Sequence, residues 1–322
     1  MIFLNRKEME EAASAADIIG AVEQAFVHYE RNTFQQPERL HAEANGGTLL
    51  LMPCFTEEVF GTKVISLFPD NPLKNLPVLN GLMILNEGST GHPLALLDGA
   101  ALTARRTAAV GALSIRHMTM NTIRSVGVVG AGIQGLHQAL FACEVRSVSK
   151  VLVYDISGKR MIDFERQLAA HRPHLKITRC RSAAELVERS EVVITTTTSR
   201  SPVLPDDAEL LKGRHYVGIG SYKPDVREFP PALFSVIEEV FVDTAHALRE
   251  SGDITQPLDE GLIKRENIHT FGKLVIGDIP SDPLREKTTF FKSVGMALFD
   301  LMTAAVIHRR AVEKGLGTTF SL

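Results

Sequence analysis

The spacing of apolar positions changes character along the chain. Residues 17–30 place Ile18, Ile19, Val22, Phe26 and Tyr29 at helical intervals, with Asp17 expected as the N-cap. Strand-like runs follow at 48–52, 62–68, 82–85 and 94–97, separated by Gly46-Gly47, Pro69, Pro72, Gly88 and Gly91. Residues 98–118 read as one long helix whose alanines favour close packing. Beyond it, apolar runs alternate with amphipathic stretches. Strands are expected at 125–129, 150–154, 192–196, 215–219 and 239–243, with a short last one at 274–277. Helices are expected at 134–146, 158–170 and 182–189. Residues 288–314 carry one continuous helical pattern, expected to cross back to the N-terminal part.

Between the strand 125–129 and its helix lies Gly130-Ala131-Gly132-Ile133-Gln134-Gly135. The spacing G-x-G-x-x-G is a dinucleotide-binding fingerprint. Gly130 permits the turn, Gly132 lets backbone approach a pyrophosphate, and Gly135 lets helix pack close to strand. The helix start offers N–H groups and its positive dipole end to phosphate. Asp155 ends the next strand, where an acid accepts from the adenosine ribose and repels a 2′-phosphate. NAD is expected, with NADP the alternative because Lys159 and Arg160 lie near. A strand-turn-helix with a solvated Asp155 and no ligand is the competing reading. Strand and helix in alternation imply a parallel sheet covered on both faces. The expected fold class is α/β, a Rossmann-type doubly wound parallel sheet plus a smaller α+β domain.

Composition narrows the function classes. A length of 322 residues, 44% of them hydrophobic, suits about two packed domains. The net charge of −3 lacks the basic excess of a nucleic-acid partner. No apolar run approaches the roughly 18 residues of a membrane span. The stretch from Met1 to Glu8 turns charged too early for a signal peptide. A cytoplasmic protein with no nucleic-acid or membrane partner is expected. Cys54, Cys143 and Cys180 form no CxxC pair and are expected as small buried hydrophobes. The histidines form no HExxH, and no metal site is expected.

Several residues carry candidate chemistry. Thr103-Ala104-Arg105-Arg106-Thr107-Ala108-Ala109 sets two arginines in an apolar helix, so one must face inward. An inward guanidinium clamps a carboxylate with two parallel hydrogen bonds; a surface pair is the alternative. Lys63 interrupts an apolar strand, where a polar-face lysine is the plainer reading. Arg39 precedes the small sheet. Thr196 and Thr197 lie where a parallel strand ends and its loop begins, and hydroxyls there could meet a nicotinamide ribose, although threonine also simply favours strands. A polar loop from Gly218 to Glu228 contains further acids.

Together these segments resemble the ornithine cyclodeaminase/mu-crystallin family over nearly the whole chain. The landmarks are Arg39 with Leu51-Met52-Pro53, Lys63, Leu96-Leu97-Asp98-Gly99, Thr103 to Ala109 and Gly130 to Gln134. Gly220 to Glu228, Glu250-Ser251-Gly252-Asp253, Gly277-Asp278-Ile279 and Phe291-Lys292-Ser293-Val294-Gly295 follow in the same order. The resemblance implies a homodimer. It also implies a discontinuous substrate-binding and dimerisation domain at 1–116 plus 300–322, and an NAD(P)-binding Rossmann domain at 117–299. A small amino or imino acid is implied in the cleft between them. Arg39, Lys63, Arg106 and Val294 are implied at the substrate. Arg106, Ile133, Gln134, Asp155, Thr196, Thr197, Ile219 and Ser293 join Gly130, Gly132 and Gly135 at the cofactor.

One departure bears on the reaction. True ornithine cyclodeaminases resemble one another in a Gly-Gly-Asp-Cys-Pro-Gly-Lys loop whose aspartate moves a proton. Here Tyr222 stands at that position, and Asp225 is displaced by three residues, as in the mu-crystallin loop. The expected activity is an NAD(P)H-dependent oxidoreductase of the CH–NH or C=N bond of a small amino or imino acid. A ketimine or pyrroline-2-carboxylate reductase and an amino-acid dehydrogenase both fit. Lys63 is the expected proton source, with Tyr222 and Asp225 the other candidates. Ornithine cyclodeaminase proper and a non-catalytic, crystallin-like NAD(P)H-binding protein are the alternatives.

Overall fold

A computed structural model describes residues 1–321, the side chain of Pro72 excepted. The chain divides into two units, Met1–Arg106 with Met296–Leu322, and Thr107–Gly295. The first division falls inside the helix Gly99–Met118 rather than at 116, and the second falls before the helix Ala297–Glu313 rather than at 299. An unbroken helix gives about two turns to one unit and the rest to the other. Apolar periodicity marks where a helix ends, not where it passes between cores.

The first unit contains β1 (Ile2–Leu4), β2 (Leu40–Ala44), β3 (Gly47–Phe55), β4 (Val59–Leu67), β5 (Leu79–Glu87) and β6 (Pro93–Asp98). With the short strand Thr318–Thr319 they form a seven-stranded sheet, in the order Thr318–Thr319, β1, β6, β5, β4, β3, β2. Its pairings are antiparallel except β1 with β6. One face packs on the helix Ala297–Glu313, which packs in turn on the helix Ala15–Arg31. The helix Ala15–Arg31 starts one turn earlier than expected. Ser14 is its N-cap and Asp17 is the third helical residue, each side chain bonding the other's backbone N–H. Such a reciprocal box satisfies two amides that a lone Asp17 cap would leave open.

The sheet register explains which strand positions face the core. Met52, Lys63, Met83 and Leu97 form one cross-strand row, and all are buried. Lys63 therefore stands on the apolar face, and the polar-face reading fails. The opposite face is apolar too. Leu51, Val64 and Leu82 line up across it, beside Pro53, Thr62, Ile84 and Leu96. Leu49 and Leu82 remain 40% and 44% exposed there.

The second unit holds β7 (Ser125–Val129), β8 (Lys150–Tyr154), β9 (Lys176–Arg179), β10 (Val192–Thr195), β11 (His215–Gly218), β12 (Val240–Val242), β13 (Ile268–Thr270) and β14 (Thr289–Lys292). They form an eight-stranded sheet in the order β13, β12, β14, β11, β10, β7, β8, β9, with every pairing parallel. The expected α/β class with a Rossmann-type sheet is what the chain adopts. From β7 the chain adds β8 and β9 on one side, then returns to add β10 on the other. The carboxyl ends of β7 and β10 thus flank the switch point where such sheets bind ligands.

Two sequence expectations are overturned here. The strand expected at 274–277 is instead largely the helix Gly272–Val275. A short apolar run does not distinguish the two by period. The helical pattern at 288–314 contains β14, a strand in the middle of the sheet, and the helix begins only at Ala297. A strand buried on both faces reads as a continuous apolar run, and Phe290-Phe291 merged with the helical spacing downstream. Among the described residues no helix is long and apolar enough to cross a membrane.

Candidate active site

The glycine turn lies at the end of β7 and opens the helix Ile133–Val145. Gly130 has φ +102°, a conformation that side-chain-bearing residues rarely adopt. A Cβ on Gly135 would lie 2.1 Å from the Gly130 carbonyl oxygen. Gly132 differs from both. Its φ is −87°, and a Cβ there would meet nothing within 4 Å. Nothing inside the protein demands glycine at this position, so the open space in front of it is the feature that fits a pyrophosphate.

The surroundings fit the same group. The first intrahelical bond joins the Leu136 amide to the Gly132 carbonyl, so the amides of Ile133, Gln134 and Gly135 have no partner within the helix. Ile133 is 62% exposed, and Gln134 keeps a buried side-chain oxygen with no hydrogen-bond partner. Asp155 accepts from the Ala131 amide on one oxygen and from the Ser157 amide on the other, each at 2.8 Å. It pins the turn to the end of β8 rather than standing solvated, and each oxygen retains a second lone pair for a ribose hydroxyl.

The loops after β10, β11 and β14 carry the next candidates. Thr196 donates to the Gly130 carbonyl at 2.9 Å, and Thr197 donates to Glu228 at 2.8 Å. Ile219 follows β11 and is half-buried. Ser293 donates to Asp243 at 2.6 Å, and the same carboxylate oxygen accepts from the amides of Val294 and Gly295. Asp243 thereby fixes the backbone that displays Ser293 and Val294.

In the first unit the sequence candidates meet on a residue that sequence reasoning missed. Lys63 Nζ lies 2.6 Å from Asp300 Oδ2 and 3.3 Å from Thr103 Oγ1. Arg106 Nε donates to the other Asp300 oxygen at 3.1 Å. Burial pulls the Lys63 pKa down to about 8, the Asp300 charge opposes the fall, and the Arg106 and Arg39 charges add to it. Arg39 is half-buried and close enough for its charge to be felt at Lys63. Arg105 and Arg106 are both buried, so they are not a surface pair. Arg105 turns away to bond the Met9 and Ala13 carbonyls, a structural cap on the helix Arg6–Ala12. An acid inside the apolar run Ala297-Leu298-Phe299-Asp300-Leu301 was the signal for Asp300.

The remaining proton-transfer candidates, Tyr222 and Asp225, belong to the second unit. Tyr222 is 41% exposed. Asp225 is exposed and pairs with Arg200 at 3.4 Å. Neither is joined by a buried network comparable to that of Lys63. Burial pushes the Cys54 thiol up to about 12 and the Cys143 thiol up to about 11, which removes both as nucleophiles at neutral pH.

Residues 1–315 match the model of the ornithine cyclodeaminase/mu-crystallin family. A Δ(1)-pyrroline-2-carboxylate reductase of Bacillus cereus is 33% identical over 278 residues, 84% of this chain and 83% of that one. The structure of the Thermococcus litoralis Δ(1)-pyrroline-2-carboxylate reductase with NADH and L-proline superposes with a TM-score of 0.92. It shares 32% identity and covers 99% of this chain and 100% of that one. An archaeal alanine dehydrogenase, a dimer with bound NAD, gives a TM-score of 0.89 at 28% identity, over 100% of this chain and 99% of the other. A parallel sheet with an open glycine turn, a buried Lys63–Asp300–Arg106 cluster and these likenesses lead to one assignment: the chain belongs to the ornithine cyclodeaminase/mu-crystallin family.

Proposed function

We propose that this chain is an NAD-dependent imine reductase acting on a small imino acid of the pyrroline-2-carboxylate class, with NADP the alternative cofactor. The observation that carries the reading is the buried Lys63 ammonium held against Asp300 beside Arg106. The similarity to pyrroline-2-carboxylate reductases supports it. Gly130, Gly132, Ile133, Gln134, Gly135 and Asp155 would hold the pyrophosphate and adenosine ribose. Thr196, Thr197, Ile219 and Ser293 would hold the nicotinamide end. When bound, the nicotinamide supplies the hydride for reduction or accepts it for oxidation.

The chain's own residues do the rest. Arg106, with Arg39, binds the α-carboxylate and so fixes the imine carbon in place. Lys63 donates a proton to the imine nitrogen, which raises the electrophilicity of the carbon. Asp300 keeps the Lys63 ammonium charged and aimed. Val294 would line the substrate side chain. Tyr222 and Asp225 are set aside as acids because both are exposed.

The apolar outer face of the first unit's sheet supports a homodimer. A sheet apolar on both faces needs a second cover, and the archaeal relative is a dimer. Sedimentation of the chain would report a dimer. The activity is tested with Δ(1)-pyrroline-2-carboxylate, piperideine-2-carboxylate and pyruvate plus amines, each against NADH and NADPH. Oxidation of reduced cofactor by a cyclic imino acid is expected. Conversion of ornithine to proline and ammonia on catalytic NAD, with no imine reduction, would overturn the reading in favour of a cyclodeaminase. Tight NADH binding with no turnover of any substrate would favour a non-catalytic binding protein.

A further inference from the structure

Glu228 is fully buried, and nothing in the proposed reaction uses it. Its carboxylate joins two loops. Oε1 accepts from the Thr197 amide at 2.6 Å and the Thr197 hydroxyl at 2.8 Å, in the loop after β10. Oε2 accepts from the Gly220 amide at 2.8 Å and the Ser221 amide at 3.2 Å, in the loop after β11. The loops touch closely, since a Cβ on Gly220 would lie 1.9 Å from the Thr197 carbonyl oxygen. Three of the four donors are backbone amides, which can only donate, so both carboxyl oxygens act as acceptors here. Burial raises the Glu228 pKa, and the Lys292 charge opposes it.

A second tier supports the first. Asp253 accepts from the Glu228 and Phe229 amides at 2.7 and 3.1 Å. Lys292, on β14, lies 3.2 Å from the other Asp253 oxygen, and both residues are fully buried. The three charges therefore tie β14 and the loops after β10 and β11 into one piece.

Topology says what these loops would meet. β8, with Asp155 after it, lies on one side of β7, whereas β10, β11 and β14 lie on the other. A dinucleotide with its pyrophosphate at Gly132 and its adenosine at Asp155 must extend its nicotinamide half over β10, β11 and β14. We propose that Glu228 is a positioning residue for the nicotinamide half of the cofactor, holding the Thr197 and Gly220–Ser221 loops in register through its four acceptor bonds. This inference rests on the cofactor reading above. The adenosine half, anchored on the far side of β7, is independent of Glu228.

The test compares binding of NADH with binding of ADP, which lacks both the nicotinamide and its ribose, to the whole chain by calorimetry. Glu228→Gln keeps the size of the side chain but turns an amide N–H toward backbone donors. It is expected to weaken NADH about tenfold while leaving ADP unchanged. Equal loss for both ligands, or loss for neither, overturns the proposal. Should Glu228→Gln fail to fold, hydrogen exchange on the wild-type chain without cofactor decides. Slow exchange of the Thr197, Gly220 and Ser221 amides supports the strut, and exchange as fast as at exposed Arg200 and Ser201 overturns it. A wild-type chain that binds neither NADH nor ADP overturns the cofactor reading itself.

Discussion

Lys63 and Asp300 form an ion pair of 2.6 Å with both side chains 1% exposed, and the second Asp300 oxygen is taken by Arg106. One carboxylate thus serves two cations inside the first unit. Asp300→Asn leaves two charges buried without a counter-charge, and should destabilise the protein by roughly 3–5 kcal/mol. Urea unfolding of the variant measures this. Lys63→Met removes the proton donor and leaves Asp300 its Arg106 partner. It should lower imine reduction at least about 100-fold while NADH affinity stays unchanged. Retention of near-normal turnover would exclude Lys63 as the acid.

The pH profile of reduction follows from the same pair. Lys63 loses its proton around pH 8, and reduction needs it protonated. The rate should therefore be highest below that pH and fall as pH rises through it. Oxidation of the amino acid, which needs the neutral amine as base, should rise over the same interval. Because the Asp300 charge supports the protonated form, any folded Asp300→Asn enzyme should show its midpoint at lower pH. Initial rates in both directions across the range provide the check.

The glycines of the turn should separate binding from folding. Gly135→Ala forces a Cβ against the Gly130 carbonyl, and should lower the melting temperature. Gly132→Val meets no protein atom at its Cβ, so it should melt normally yet lose NADH affinity. A Gly132→Val protein that binds NADH as well as the parent would mean the space in front of that residue holds no pyrophosphate.

Asp17 offers a stability test remote from this chemistry. Its carboxyl is lowered from 3.8 to about 2, first by the Ser14 hydrogen bond and then by Arg310. A carboxylate held low contributes its full stabilisation above its unfolded pKa and loses it as pH falls toward 2. Asp17→Ala should cost about 1–2 kcal/mol at neutral pH. The difference from wild type should vanish in acid, as paired thermal melts would reveal.

Legibility from sequence was uneven for physical reasons. β7 and β8 stood out because short, fully buried parallel strands flank an unmistakable glycine turn, and the structure has them at 125–129 and 150–154. Lys63 and Arg106 drew notice because charge interrupts apolar stretches. Asp300 interrupts one in the same way, but its partners lie far off in sequence, and no local pattern connects them. Glu228 was hidden differently. It sits in a polar loop where an acid is unremarkable, and only folding reveals that four donors converge on it. β14 was absorbed into the helix that follows because Phe290 and Phe291 suit either period.

The sequence separation of 237 between Lys63 and Asp300 imposes an order on assembly. A chain emerging from the ribosome presents the β4 lysine long before the helix that neutralises it. Until that last helix docks, an ammonium on the inner face of the sheet has no carboxylate to meet it. The first core must therefore wait for that helix, whereas Thr107–Gly295, contiguous in the chain, is free to close earlier. A message truncated ahead of residue 300 should yield a nucleotide-binding half attached to an unfinished sheet.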